Sequence, residues 1–284
     1  MLPLLLFGFL FAAAPATAIT VKAVAAENFY GDVIGQIGGD KVNVTSIMSD
    51  PNVDPHEYES NVADAKLVAD ASLVIESGGG YDDWMDKLVA ASPDRGRMVL
   101  KGFDIATTKI PDNEHIWYDP DNMIAIARAA KDALAKIDPD DAAAFNGNFD
   151  DFKASIETFK SRQGRLRTKY ANSPIALTET IYQYQARLLG LSVLTPEEFQ
   201  KAVAEGNDPP ADSIVLAEAQ IVGKKVKALV YNEQTITDIT TKLQNDAKAA
   251  GIPVVPVTET MPTGLHYQAW MSDELDALVA ALGK

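Results

Sequence analysis

The sequence predicts an α/β protein of two lobes, each built on a mainly parallel sheet, joined by one long rigid α-helix. Three observations carry this reading. From residue 19 to 139 short apolar runs alternate with helix-like segments, and strands separated by helical crossovers pair in parallel. Residues 140–170 then carry apolar side chains at steps of three and four, with no proline and no strand signal among them. From 171 to 284 the strand–helix alternation resumes. The expected units are therefore an N-terminal lobe at 19–139, a linking helix at 140–170 and a C-terminal lobe at 171–284.

The chain opens with an apolar run, Met1 to Phe11, followed by small residues from Ala12 to Ala18. That is the pattern of a secretory signal peptide, with cleavage expected after Ala18. It is too short for a transmembrane helix, which needs about 20 apolar residues. The basic residues that usually precede such a run are missing, so the true start is expected upstream of Met1. Cleavage leaves 284 − 18 = 266 residues, enough for two lobes of ordinary size.

In the first lobe, Thr20–Ala26 reads as a strand and Asn28–Gly39 as a short helix closed by glycine. A strand at Val42–Met48 leads into Asp50-Pro51-Asn52-Val53-Asp54-Pro55-His56-Glu57-Tyr58, a loop stiffened by two prolines. Ser60 is a candidate cap for a helix reaching Ala69, and Ser72–Glu76 reads as a buried strand. Gly78–Gly80 turns into a helix over Tyr81–Ala91; it lacks the spacing of a nucleotide fingerprint and reads as a tight turn with close backbone approach. Arg97–Leu100 is the next strand. Asp119-Pro120 is a strong helix start, with Asp as the cap and Pro in the first turn.

The linking helix shows Phe145, Phe149, Phe152, Ile156, Phe159 and Leu166 along one face, with a gap at Gln163. About 30 residues at 1.5 Å each span roughly 45 Å. In the second lobe strands are expected at Pro174–Thr178, Leu191–Leu194, Val226–Tyr231 and Ile252–Val257. Helices are expected at Tyr182–Leu189, Asp212–Gly223, Thr235–Ala250 and His266–Leu282.

Composition narrows the function. With no cysteine there can be no disulfide, thiolate metal site, cysteine nucleophile or lipid-modified N-terminal cysteine. A net charge of −15 disfavours nucleic acid and anionic membranes and suits attraction of cations. An exported chain without lipid anchor or second hydrophobic span is expected to be soluble in the periplasm.

In open parallel sheets ligands bind beyond the carboxyl ends of the strands. The polar residues there are His56 in the first lobe, and Glu179 and Glu259 in the second; His115 lies just before the Asp119-Pro120 helix start. Two imidazoles can thus face two carboxylates across a cleft, a donor set suited to a divalent transition metal. Glu179 and Glu259 taken singly also fit ordinary loop carboxylates, and Glu233 is a rival fourth ligand. His266 reads as structural or solvated, and Trp117 and Tyr118 as packing beside the site.

These residues carry a resemblance over essentially the whole mature chain. Ala26-Glu27-Asn28-Phe29-Tyr30-Gly31-Asp32, the Asp50–Glu59 loop, Ala69–Ile75, Gly80–Met85, His115-Ile116-Trp117-Tyr118-Asp119-Pro120 and Val257-Thr258-Glu259-Thr260-Met261-Pro262 resemble the metal-binding receptors of bacterial zinc/manganese ABC importers. The resemblance implies two α/β lobes bridged by a long helix with the metal between them. It implies His56, His115, Glu179 and Glu259 as the ligands, Glu259 standing where the family usually has Asp. Lys101–Glu114 contains none of the histidines that many zinc-type members carry there. That absence, and Glu rather than His at 179, lean toward Mn²⁺ over Zn²⁺.

The implied function is an extracytoplasmic solute-binding protein, a monomer and not an enzyme. It would deliver one Mn²⁺ or Zn²⁺ to a membrane permease driven by a separate ATPase. Neutral imidazoles are needed for binding, so affinity is expected to fall as pH drops through roughly 6.5. The competing readings are an exported metal-dependent hydrolase and a receptor for a metal chelate or other small solute.

Overall fold

The computed structural model describes residues 20–50, 53, 55 and 58–283. The expected signal peptide, 1–18, and His56 lie outside the described residues.

The first sheet contains β1 (Val21–Glu27), β2 (Val42–Met48), β3 (Leu73–Glu76) and β4 (Met98–Lys101), in the order β2-β1-β3-β4 and all parallel. Its crossovers are α1 (Asn28–Gly38), α2 (Val62–Asp70) and α3 (Asp83–Ala91), followed after β4 by the short α4 (Gly102–Ile105). The second sheet repeats the plan: β5 (Pro174–Leu177), β6 (Ser192–Val193), β7 (Leu229–Asn232) and β8 (Val254–Val257), in the order β6-β5-β7-β8 and again parallel. Around it run α7 (Gln183–Leu189), α8 (Glu197–Ala204), α9 (Ala211–Val222), α10 (Asp238–Ala250) and α11 (Tyr267–Leu282). In each sheet the chain reverses its direction of travel beside the first strand. A parallel sheet opens its ligand crevice at that point.

The helix α5 (Pro120–Ile137) packs on α1 and α4 of the first lobe, and the 29-residue α6 (Ala142–Tyr170) touches α1 and α5 there and α7 and α11 of the second. Asp119 caps α5 as the sequence predicts, its carboxylate accepting from the Asp121 backbone N–H. The α6 stripe is buried at Phe145, Phe149, Phe152, Ile156 and Phe159. Gln163, the gap in that stripe, is buried too, its amide donating to Gln185 Oε1 at 2.8 Å. A satisfied amide is tolerated in a core where an orphaned one would cost about 1–3 kcal/mol.

One hydrophobic cluster runs from Val21 and Ile75 in the first lobe through the α6 stripe to Ile175, Val255 and Leu278 in the second. At its centre Phe29 lies 4.7 Å from Trp117 and 5.9 Å from Trp270, and Tyr118 lies 5.6 Å from Tyr182. Such tilted and edge-on rings bury large areas while fixing the geometry of the two lobes. Polar bonds cross the same seam. Asn28 and Met261 exchange two, Tyr118 donates to the Thr258 carbonyl at 2.8 Å, and Tyr267 donates to the Trp117 carbonyl at 2.7 Å.

Two helix starts differ from expectation. The α2 cap is Asn61 rather than Ser60: its side chain accepts from Ala63 and Asp64, and the Asp64 carboxylate reaches back to the Asn61 N–H. α3 starts at Asp83 rather than Tyr81, because the Tyr81 N–H closes a turn onto the Gly78 carbonyl and Asp82, with a non-helical backbone, accepts from the Ser77 and Gly78 N–H groups. The close approach expected there is real, since a Cβ at Gly79 would stand 2.7 Å from the Phe103 ring. Two short helices, α4 and α8, lie where the sequence pattern predicts none.

Candidate metal centre

His115 sits in the loop between α4 and α5, fully buried. Its backbone N–H donates to Asn113 Oδ1 at 3.0 Å, and its ring Nδ1 lies 3.0 Å from the same oxygen. The Asn113 amide is held one way round, because its Nδ2 donates to the Thr180 carbonyl at 2.9 Å and to Gln183 Oε1 at 3.0 Å. Oδ1 therefore faces the ring, and in the neutral imidazole Nδ1 must carry the proton. Nε2 is left as the lone-pair nitrogen, 3.9 Å from Glu259 Oε2. A second-lobe carbonyl thus fixes the tautomer of a first-lobe histidine.

Glu179 follows β5 by two residues and opens a short helical turn, Thr180–Tyr182. Its Oε2 accepts from the Ile181 N–H at 2.9 Å and its Oε1 from Asn232 Nδ2 at 2.7 Å. Glu259 follows β8 by two residues. Its Oε2 accepts from the Tyr81 hydroxyl at 2.8 Å and its Oε1 from Asn232 Nδ2 at 2.5 Å. Burial pushes the Glu179 carboxyl above the usual carboxylate range; His115 opposes this and Glu259 adds to it. Donors surround both groups, which complements ionised carboxylates rather than neutral acids.

One donor atom from each of His115, Glu179 and Glu259 lies within 4.8 Å of the others, and all three residues are buried. Among the described residues this is the one group of three or more such side chains with that geometry. An imidazole nitrogen and two carboxylates are borderline-to-hard donors of the kind that hold Zn²⁺ or Mn²⁺.

His56 is not described; Val53, Pro55 and Tyr58 of its loop are. The Val53 carbonyl accepts from Gln234 Nε2 of the second lobe at 2.8 Å, Pro55 is buried, and the Tyr58 hydroxyl donates to Asp64 at 2.9 Å. Glu233 points outward, exposed, with the Tyr231 hydroxyl 3.2 Å away, so the rival ligand is not beside the cluster. His266 begins α11 with its ring 2.6 Å from Asp32 and largely exposed, matching its structural reading. Trp117 packs edge-on against His115, centroids 5.2 Å apart.

The sequence reading missed Tyr81, Asn113, Asn232 and Gln234. Asn232 was within reach of it. The strand-end rule led to Glu233, but side chains alternate across a strand, and at the end of β7 it is Asn232 that turns inward. Gln234 joins three pieces: its Oε1 accepts from the Glu259 and Thr260 N–H groups, and its Nε2 donates to the Val53 carbonyl.

Residues 23–281 match the family model described as ZnuA, zinc-uptake complex component A, periplasmic. The chain is 24% identical over 279 residues to the manganese-binding lipoprotein MntA of Halalkalibacterium halodurans, covering 93% of this chain and 89% of the relative. Among solved structures it resembles the periplasmic zinc-binding protein TroA from Treponema pallidum, with a TM-score of 0.79 at 17% identity, covering 93% of this chain and 99% of that one. It also resembles FpvC of Pseudomonas aeruginosa in complex with Mn²⁺, with a TM-score of 0.75 at 20% identity, covering 93% and 98%.

Proposed function

We propose that this chain, which belongs to the zinc-uptake complex component A family, is the extracytoplasmic receptor of a metal-ion ABC importer. It captures one Zn²⁺ or Mn²⁺ between its lobes and delivers it to a membrane permease driven by a separate ATPase. His115, Glu179 and Glu259 are the ligands, with His56 of the loop beyond β2 as the fourth. The chain works as a monomer on the outer side of the cytoplasmic membrane. Among the described residues no helix is long and apolar enough to cross a membrane.

The observation that carries this reading is the buried triad of one imidazole and two carboxylates, drawn from both lobes, with donor atoms within 4.8 Å. Burying two carboxylates side by side is costly unless a cation neutralises them, and a dication supplies that charge. Bonds of about 2.0–2.1 Å in a tetrahedron put neighbouring donors about 3.3 Å apart. His115 Nε2 and Glu259 Oε2, 3.9 Å apart, need to close by only about half an ångström. Four protein ligands fill a tetrahedral ion and leave no position for an attacking water, so the site favours a receptor over a hydrolase.

The test is a titration of chelator-stripped residues 19–284 with Zn²⁺ and Mn²⁺, read by intact-protein mass spectrometry and thermal unfolding. One equivalent should be retained and the melting temperature should rise, with both effects lost in His56→Ala and Glu259→Ala. No metal retained at one equivalent would sink the reading. Binding of a solute that survives chelator and His56→Ala would favour the chelate receptor instead.

A further inference from the structure

We infer that Asn232 is a specificity-determining residue of this centre. Its amide holds the two carboxylates so that each gives the ion a single oxygen, which favours four-coordinate Zn²⁺ over Mn²⁺. The inference rests on the metal-receptor reading and goes on to say which ion the pocket is shaped for.

Asn232 ends β7 at the reversal point of the second sheet, buried between the strand ends that carry Glu179 and Glu259. Its orientation is fixed, because Oδ1 accepts the Gln234 N–H at 2.9 Å and only Nδ2 is left to face the carboxylates. That nitrogen stands 2.7 Å from Glu179 Oε1 and 2.5 Å from Glu259 Oε1, with Thr235 Oγ1 at 2.9 Å. A neutral crossbar therefore fills the space between one oxygen of each carboxylate.

The consequence is geometric. An ion cannot occupy the space between the two Oε1 atoms while the amide is there. It is directed to the other side, where Glu259 Oε2 lies 3.9 Å from His115 Nε2. The Ile181 N–H and the Tyr81 hydroxyl engage the two Oε2 atoms, so neither carboxylate can swing to offer both oxygens without breaking a hydrogen bond. Mn²⁺ suits six oxygen-rich ligands and gains from bidentate carboxylates, whereas Zn²⁺ is satisfied by four ligands. Counting donors, as the sequence allows, leans toward manganese; the crossbar restricts how many of those donors act together.

The experiment compares the full mature chain with Asn232→Ala, using Zn²⁺, Mn²⁺ and Co²⁺ as probes. Zn²⁺ and Mn²⁺ dissociation constants come from competition with a fluorescent chelator, and the Co²⁺ visible spectrum reports coordination number independently of affinity. The wild type should give the intense visible bands of tetrahedral Co²⁺. The variant should give weak bands of higher coordination, with the Zn²⁺-over-Mn²⁺ preference reduced at least tenfold. A preference that stays the same while both affinities fall together, or an unchanged Co²⁺ spectrum, overturns the assignment and leaves Asn232 as a plain structural support. If Asn232→Ala does not fold, Asn232→Ser gives the same reading, since a hydroxyl has one hydrogen and reaches one carboxylate. A wild type that binds none of the three ions defeats the receptor reading itself, an outcome distinct from an unchanged preference.

Discussion

Replacing Glu274 by Gln should stabilise the protein at neutral and alkaline pH and leave it unchanged in acid. Glu274 lies on α11 with 8% of its surface exposed, and its Oε1 accepts from the Thr258 N–H at 3.0 Å and Trp270 Nε1 at 2.8 Å. Burial pushes its carboxyl from an ordinary value of 4.5 up to about 8, with those two hydrogen bonds among the groups pulling it back. Between those two pH values the folded chain holds a proton that the unfolded chain has lost, so stability falls as pH rises from 4.5 to 8 and levels off above. At about 1.36 kcal/mol per unit the full cost is roughly 5 kcal/mol above pH 8, and about 3 kcal/mol at pH 7. Gln keeps the acceptor that Thr258 and Trp270 use and has no charge to bury. Thermal unfolding of metal-free wild type and variant at pH 5 and pH 8 should show little difference at pH 5. At pH 8 the variant should melt higher by roughly 10 °C, at a few degrees per kcal/mol for a chain of this size. A gap of equal size at both pH values would refute the idea that a buried charge is being relieved.

The other expectations concern the centre and one cap. Asn113→Ala should weaken metal binding by about 10–100-fold by calorimetry, because the His115 ring loses the acceptor that holds its tautomer. Metal affinity should fall on acidification, because burial raises Glu179 above the usual carboxylate range and lets a proton compete for it; an affinity that does not change as pH is lowered would count against it as a ligand. Asn61→Ala should cost about 1 kcal/mol through the lost capping box of α2, read as a fall of a few degrees in melting temperature.

How much of this was legible in the sequence depended on the range of the forces involved. β2 was bounded correctly at Val42 and Met48, because alternation and flanking turns are local. The α6 stripe was legible for the same reason, while the Gln163 gap is explained only by Gln185, twenty-two residues away. α8 was missed because its eight residues carry just Phe199 and Val203 as buried apolar anchors, too few to establish a period. Glu179 and Glu259 could be placed from strand ends and His115 from its position before the Asp119-Pro120 helix start, and the structure brings them together. Asn113 could not, since its orientation depends on bonds to Thr180 and Gln183 in the other lobe that no spacing encodes.

The seam between the lobes also sets a clock. His115 and Glu259 expose no surface, and the Asn28–Met261, Tyr118–Thr258 and Tyr267–Trp117 bonds tie the two lobes together through residues next to them in the chain. A competitor in bulk water cannot touch an ion held there until the lobes part, so the residence time of the cargo is the waiting time for that opening. Escape should then be first order, with a rate that stops rising as scavenger is added. A docking partner that grips the parted form would shorten the wait without altering a single ligand, making handover a matter of timing rather than of affinity.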